Sequence, residues 1–272
     1  MPKTTSEASE YEFIINLVYE RTRIRLHDGK QQLISSRLGK RFRHHGFQTL
    51  TEYCDYLRRT NDEDELTHMT DALTTNFTHF MREKDHFDFL TGTALPKLLG
   101  TKKNFQVWSA ACATGEEPYS LAFTINEKYP LAGGWDWKLH ATDVSTKALG
   151  TAQKGIYPTD RLESLPREWW RKYFQKGFKE MDGHYRVKQE LIDRIQFKNV
   201  NLLGSYSMPG PFEVIFCRNV MIYFDRPTQE QLVQRLAQFL VPGGYLLIGH
   251  SESLNGLNIG LRCLKPSIYQ KP

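Results

Sequence analysis

The chain has 272 residues, 40% hydrophobic and 12% aromatic, with 36 Lys+Arg against 31 Asp+Glu for a net charge of +5. That is apolar material enough for a real core and a length of about two domains, which excludes a disordered chain, a collagen-like chain or a coiled-coil rod. No apolar run nears the roughly 20 residues that span a bilayer, and the polar opening Met1-Pro2-Lys3-Thr4-Thr5-Ser6-Glu7 is unlike a secretory signal. A soluble cytoplasmic protein without membrane insertion is therefore expected. Cys54, Cys112, Cys217 and Cys263 are scattered without a CxxC pair, so free thiols are expected and no metal site.

The charge is uneven. Ten Lys/Arg face three acids between Arg21 and Arg59, so this window carries +7 and the rest of the chain −2. Such asymmetry points to an acidic partner at the N-terminal end.

The first third reads as helices. Ser9 and Glu12 have capping-box spacing ahead of Tyr11, Ile14, Ile15 and Val18. A second helix is predicted from about Lys30 to His44, with Leu33, Ile34, Leu38 and Phe42 inward and Arg37, Lys40, Arg41 and His44 on one outer stripe. Thr49 with Glu52 opens a third helix, and the acids Asp62 to Glu65 suit the first turn of a fourth. From Phe105 the rhythm changes to short apolar runs alternating with helical stretches. Strands are predicted at Phe105–Ala111, Trp137–Thr142, Ile195–Val200, Phe212–Cys217 and Tyr245–Gly249. Helices are predicted through Tyr119–Glu127, after Ser145, and from the Thr228/Gln231 capping pair to Pro242-Gly243-Gly244. This alternation implies βαβ units and a parallel sheet. The aromatic stretch from about Lys154 to Arg194 breaks it and reads as a short helix plus a small antiparallel insertion.

An open α/β sheet binds its ligand outside the carboxyl ends of its strands. Four polar segments fall at such ends: Ser109 to Ser120 with its small residues, Asp143, Asn201 and Arg218-Asn219. The first is not G-x-G-x-x-G and has no phosphate-binding Lys, so neither a dinucleotide nor a P-loop nucleotide is supported. An acid 28 residues after Gly115 is placed to accept hydrogen bonds from ribose hydroxyls. Ribose recognition without pyrophosphate machinery fits S-adenosylmethionine. Ahead of the sheet, Ala72 to Glu83 sets polar Asn76, Thr78 and Arg82 among aromatics.

Three long words carry a family resemblance: Thr75-Asn76-Phe77-Thr78-His79-Phe80-Met81-Arg82-Glu83, the stretch Trp108 to Ser120, and Phe216-Cys217-Arg218-Asn219-Val220-Met221-Ile222-Tyr223-Phe224. With Gly210-Pro211-Phe212 and Gly249-His250-Ser251-Glu252 they resemble the CheR family of chemotaxis-receptor methyltransferases, from about Tyr11 to Tyr269. The resemblance implies an α/β protein: an N-terminal all-helical domain (1–85), then a Rossmann-like methyltransferase domain (86–272) with a small antiparallel β-subdomain inserted at about 156–200. It implies methyl transfer from S-adenosyl-L-methionine to receptor glutamates, giving glutamyl methyl esters and S-adenosyl-L-homocysteine. By motif, Asn76, Thr78 and Arg82 would line the cofactor site, with Glu117 at the methionyl end and Asp143 at the ribose. Asn201 and Leu202 would sit near the adenine, with Arg218 and Asn219 nearby, and Tyr223 beside the transferring methyl. Arg82 and Tyr223 are the candidate catalytic pair. The resemblance also offers the basic stripe an acidic partner, the methylation region of methyl-accepting chemotaxis receptors. The insertion resembles a subdomain that binds a pentapeptide tether at a receptor's C-terminus in some members. A nucleic-acid methyltransferase is disfavoured, because Arg218-Asn219-Val220-Met221 replaces the Asn/Asp-Pro-Pro-aromatic word and stacking aromatics are not interleaved with the basic residues. A non-catalytic receptor adaptor is the remaining rival.

Overall fold

The computed structural model describes residues 5–24, 26 and 31–272. Met1 to Thr4, Lys30 at the expected start of the second helix, and Arg25 and Asp28 of the basic window lie outside the described residues. The chain divides into two compact units, one holding the described residues up to Thr75 together with Tyr223–Asp225, the other Asn76–Ile222 and Arg226–Pro272.

The first unit is helical: α1 (Thr5–Thr22), α2 (Gln31–His45), α3 (Leu50–Thr60) and α4 (Glu63–Leu73). The Thr49–Glu52 capping box forms, and Asp62 caps α4 by accepting from the N–H groups of Asp64 and Glu65. Ser9, expected as the first cap, lies inside α1, which begins four residues earlier. Ile14, Val18, Ile34, Leu38, Tyr53, Leu57 and Met69 fill the core, with Tyr223 and Phe224 packed against it.

Within this core Glu65, 2% exposed, receives Arg41 through two hydrogen bonds, His45 Nε2 at 2.8 Å and the Tyr53 hydroxyl at 2.6 Å. Burial pushes its carboxyl up, but the hydrogen bonds from Arg41, Tyr53 and His45 outweigh this and hold the pKa at about 2. Arg37 donates to the carbonyls of Leu73 and Thr74, both at 3.0 Å, and so satisfies the open end of α4. The predicted stripe is thus divided: Arg37 and Arg41 hold the unit together, while Lys40 and His44 are exposed.

The second unit begins with a helical run made of α5 (Asp85–Phe89), a π turn and α6 (Leu95–Leu99). Then follow β1 (Asn104–Ser109), α7 (Glu116–Lys128), β2 (Asp136–Asp143), α8 (Thr146–Lys154), β3 (Ile156–Pro158), α9 (Arg167–Tyr173), β4 (Phe174–Lys176), β5 (His184–Val187), α10 (Gln189–Ile192) and β6 (Ile195–Asn199). The chain ends with β7 (Phe212–Phe216), α11 (Arg226–Gln238), β8 (Leu240–Leu247), β9 (Arg262–Lys265) and β10 (Ile268–Gln270). The main sheet has the order β6-β2-β1-β7-β8-β10-β9, parallel through its first five strands. Antiparallel β10 and β9 close its far edge. The order reverses at β1, which lies between β2 and β7, so their carboxyl ends flank the switch point where such sheets bind ligands.

The inserted sheet, β3-β5-β4, is antiparallel and ends at Val187. Ile195–Asn199 pairs with β2 instead, so the insertion is shorter than the range 156–200. Two other expectations change. Helix α11 opens at Arg226, ahead of the Thr228/Gln231 pair. Pro242-Gly243-Gly244, read as the stop before a strand, lies inside β8. The pairing with β7 shifts register between Phe212 and Val214, and a side chain on Gly244 would meet Glu213 O at 3.0 Å. Pro and Gly are tolerated in a strand at such an irregularity.

Candidate active site

The loops at the carboxyl ends of the strands are locally strained. Met81, Glu83, Ala113 and Asn219 all have φ between 47° and 58°. Left-handed backbone at non-glycine residues persists only where surrounding contacts enforce it. Those contacts are visible.

The segment leading from Asn76 to Glu83 is pinned by its own backbone. Met81 N–H donates to Ser120 Oγ (2.9 Å), Thr78 O accepts from Arg161 (3.0 Å) and Phe80 O from Ser164 (3.1 Å). Phe80 is fully buried, its ring 5.0 Å from that of Tyr157. Asn76 Nδ2 donates to Ser145 Oγ at 3.3 Å, and Thr78 is buried. Half-buried Arg82 donates to Phe77 O at 3.1 Å.

Asp143 ends β2 and joins two loops. Its Oδ2 accepts from Ala113 N–H (2.8 Å) and its Oδ1 from Ser145 N–H (2.9 Å). Ser145, not Asp143, caps α8. Asn201 Oδ1 accepts from Leu203 N–H (3.0 Å) in an Asx turn, with Leu202 buried beside it.

Arg218 follows β7, its side chain only 1% exposed. It donates to Glu117 Oε2 (2.9 Å), to Glu83 Oε2 (2.8 and 3.3 Å) and to Arg82 O (2.5 Å). Glu117 also accepts from Ser109 Oγ at 2.7 Å, and Asn219 Nδ2 donates to Glu83 Oε1 at 3.3 Å. Burial pushes the Glu83 carboxyl up, but Arg218 outweighs this and holds it at about 2. The guanidinium thus fastens the segment before the sheet to the ends of β1 and β7. Burial pushes the thiols of Cys112 and Cys217 well above their usual range, so neither is primed as a nucleophile.

Comparison with known proteins agrees with this geometry. Residues 9–74 match the model of the CheR methyltransferase all-alpha domain, and residues 76–269 that of the CheR methyltransferase SAM binding domain. The chain belongs to the CheR methyltransferase family. It is 41% identical over 245 residues to the chemotaxis protein methyltransferase of Salmonella typhimurium, covering 90% of this chain and 83% of that one. To the Borreliella burgdorferi chemotaxis protein methyltransferase it is 37% identical over 265 residues, with 95% and 92% covered. To chemotaxis protein methyltransferase 1 of Vibrio cholerae it is 35% identical over 276 residues, with 99% of each chain covered. S-adenosyl-L-methionine is accordingly the cofactor. The residues present fit it: small residues after β1 let a ligand approach, and a carboxylate, Asp143, stands at the neighbouring strand end.

Asn76, Thr78, Arg82, Glu117, Asp143, Asn201, Leu202, Arg218 and Asn219 of this CheR chain all lie in the sheet unit, on the segment before the sheet, at or just after strand ends or, for Glu117, in the first turn of α7. Tyr223 belongs to the helical unit, against that unit's core. Sequence reasoning gave no role to Glu83, which pairs with Arg218, or to Asn199, whose amide donates to the carbonyls of Asp143 (3.0 Å) and Val144 (2.9 Å). Glu83 ends the first quoted word and Asn199 lies two residues before Asn201, but only pairing across distant segments reveals what they hold. Glu83, His86 and His250 bring potential ligand atoms within 4.8 Å of one another. Arg218 already neutralises Glu83 there, which opposes a cation.

Proposed function

We propose that this chain transfers the methyl group of S-adenosyl-L-methionine to glutamate side chains in the cytoplasmic domains of methyl-accepting chemotaxis receptors. The observation that carries this reading is the match of both family domains, in order, across nearly the whole chain. When bound, the cofactor supplies a methyl group on a sulfonium sulfur. A glutamate oxygen forms the new bond to carbon as the carbon–sulfur bond breaks and its electron pair stays on sulfur, leaving S-adenosylhomocysteine. An ordinary glutamate, with a pKa of about 4.3, is already ionised near pH 7 and needs no strong base. In-line positioning is the chain's task. Asp143 accepts from the ribose hydroxyls, Asn201 and Leu202 bound the adenine, and Asn76, Thr78, Glu117 and Asn219 line the remainder. Arg218, clamped by two carboxylates, holds that lining in place. Arg82 and Tyr223 orient the reacting groups by charge-assisted and hydroxyl hydrogen bonds.

The receptor's acidic methylation region docks on the basic helix through Lys40 and His44, since the guanidinium groups of Arg37 and Arg41 hold internal partners. A receptor's C-terminal pentapeptide adds as a strand to the edge of the small sheet at β4, beside exposed Phe178 and Met181.

Tritiated-methyl transfer to a receptor cytoplasmic fragment tests the reading, with RNA as a control substrate. Base-labile label on the fragment is the expected result. Label on RNA, or receptor binding without any label, would replace it with the nucleic-acid or adaptor reading.

A further inference from the structure

One buried carboxylate stands outside the residues assigned to cofactor or substrate. Glu252, 9% exposed, accepts four backbone N–H groups. Its Oε2 takes Gly249 at 2.6 Å and Asn219 at 2.9 Å, and its Oε1 takes Met221 at 2.7 Å and Ile222 at 3.3 Å. Three of the four donors belong to the loop after β7; the fourth belongs to the loop after β8, which carries Glu252 itself. Buried N–H groups demand partners, and here one side chain supplies them all.

The two loops also touch directly. Gly249 lies so close to Asn219 that an added Cβ would stand 2.9 Å from Asn219 N and nearer still to its Nδ2. Asn219 itself is left-handed, with φ 58°. Its conformation is therefore enforced from outside, by the carboxylate on its N–H and by the glycine against its side chain. Arg218 is held differently, through Glu83, Glu117 and Arg82 O. The strand end thus has two anchors, a guanidinium clamp for residue 218 and a carboxylate clamp for residues 219–222, linked where Asn219 Nδ2 also donates to Glu83 Oε1.

We infer that Glu252 is a positioning residue for methyl transfer, holding the 219–222 loop in the conformation the reaction uses. It meets only backbone. This rests on the reading that the segment after β7 takes part in the transfer. Because Arg218 has its own anchor, loosening the carboxylate clamp should slow turnover more than it weakens cofactor binding. A purely structural role would lower stability alone.

The test uses the full chain with a receptor cytoplasmic fragment, comparing Glu252→Gln, Gly249→Ala, Tyr223→Phe and Leu236→Ala, the last a buried α11 residue. Rates are read well below each variant's melting temperature, with S-adenosylhomocysteine affinity measured by calorimetry. Glu252→Gln keeps the shape but replaces one acceptor oxygen with a donor amide; Gly249→Ala moves Asn219 from the other side. Glu252→Gln should lower kcat at least tenfold while the affinity stays within about threefold, because Asn219 keeps its bond to Glu83; Gly249→Ala, which displaces Asn219 itself, should lower both; and Leu236→Ala should lower the melting temperature with kcat kept. Wild-type kcat in folded Glu252→Gln overturns the inference. So does a loss of affinity with kcat kept, or a kcat loss in Leu236→Ala matching that of Glu252→Gln. If Gly249→Ala does not fold, Glu252→Gln decides alone. Slow Tyr223→Phe with wild-type Glu252→Gln rejects the inference and leaves the reading of Tyr223 intact. The reverse pattern rejects that role of Tyr223 and keeps the clamp, acting through Asn219.

Discussion

Each unit of the protein buries a charged group in a ring of partners, and the two rings are built differently. In the helical unit the buried group is an acid, Glu65, surrounded by Arg41, His45 and Tyr53. All four residues stand on helices. In the sheet unit the buried group is a base, Arg218, gripped by Glu83, Glu117 and a backbone carbonyl. Two of its partners, Glu83 and Arg82 O, come from the loop before the sheet and the third, Glu117, from the first turn of α7, and Glu83 is itself left-handed. A ring on regular elements serves stability; a ring that ties strained loops serves the placement of a site.

This contrast can be broken by experiment. The largest effect expected is from Arg41→Ala, which leaves Glu65 buried without its cation. It should cost the helical unit about 3–5 kcal/mol, read by chemical denaturation, while S-adenosylhomocysteine affinity is unchanged. Loss of that affinity in a still-folded sheet unit would erase the division of labour.

The next effect separates the units by pH. Burial holds the imidazoles of His86 and His140, both in the sheet unit, down at about 4. A depressed histidine binds its proton first in the unfolded chain. Stability is therefore whole above about pH 6.5 and is lost as pH falls from 6.5 towards 4. Glu116, Glu213 and Glu252, raised by burial, act in the opposite direction and oppose that loss. His140→Gln isolates one contribution: the wild type's stability relative to the variant should shrink by about 3 kcal/mol across this window. All five tryptophans lie in the sheet unit, so fluorescence reports it alone. The helical unit's Glu65, held at about 2, keeps its contribution above about pH 4.5 and loses it only as pH falls from there to 2. A variant that tracks the wild type across pH 6.5 to 4 would contradict the buried-histidine account.

Arg218→Lys keeps a charge but cannot grip two carboxylates and a carbonyl together. A stability loss of about 1–3 kcal/mol is expected, with initial rates reduced at least tenfold. If only stability moves, this ring is no different in kind from the helical one. Smallest is the effect of replacing exposed Lys40 and His44 with glutamate. Surface charges contribute about 1 kcal/mol or less, so receptor KM should rise a few-fold at low salt and return at high salt. A KM insensitive to both changes removes that helix face from docking.

Much of the architecture was legible because it is periodic. Apolar spacing located all four N-terminal helices, and the Thr49–Glu52 and Ser145 caps could be read from single residues. The carboxyl-end positions of Asp143 and Arg218 followed from strand order along the chain. The exceptions share a cause. Pro242-Gly243-Gly244 carries a local stop signal that pairing with β7 overrides. The stripe on α2 has correct helical spacing, yet two of its four members turn inward, because spacing does not tell whether an acid such as Glu65 waits beneath.

By itself, then, the sequence determined the two-unit plan, the parallel sheet and the family. These depend on residue type and short-range order, which are written locally. Only the tertiary structure decided what each charged group does: that Arg41 is a core partner, that Arg218 is a clamp, and that Glu252 gathers four N–H groups from two loops. Those roles depend mostly on contacts between residues 24 to 136 positions apart, and nothing in the spacing of a chain specifies which distant charge will be buried beside which.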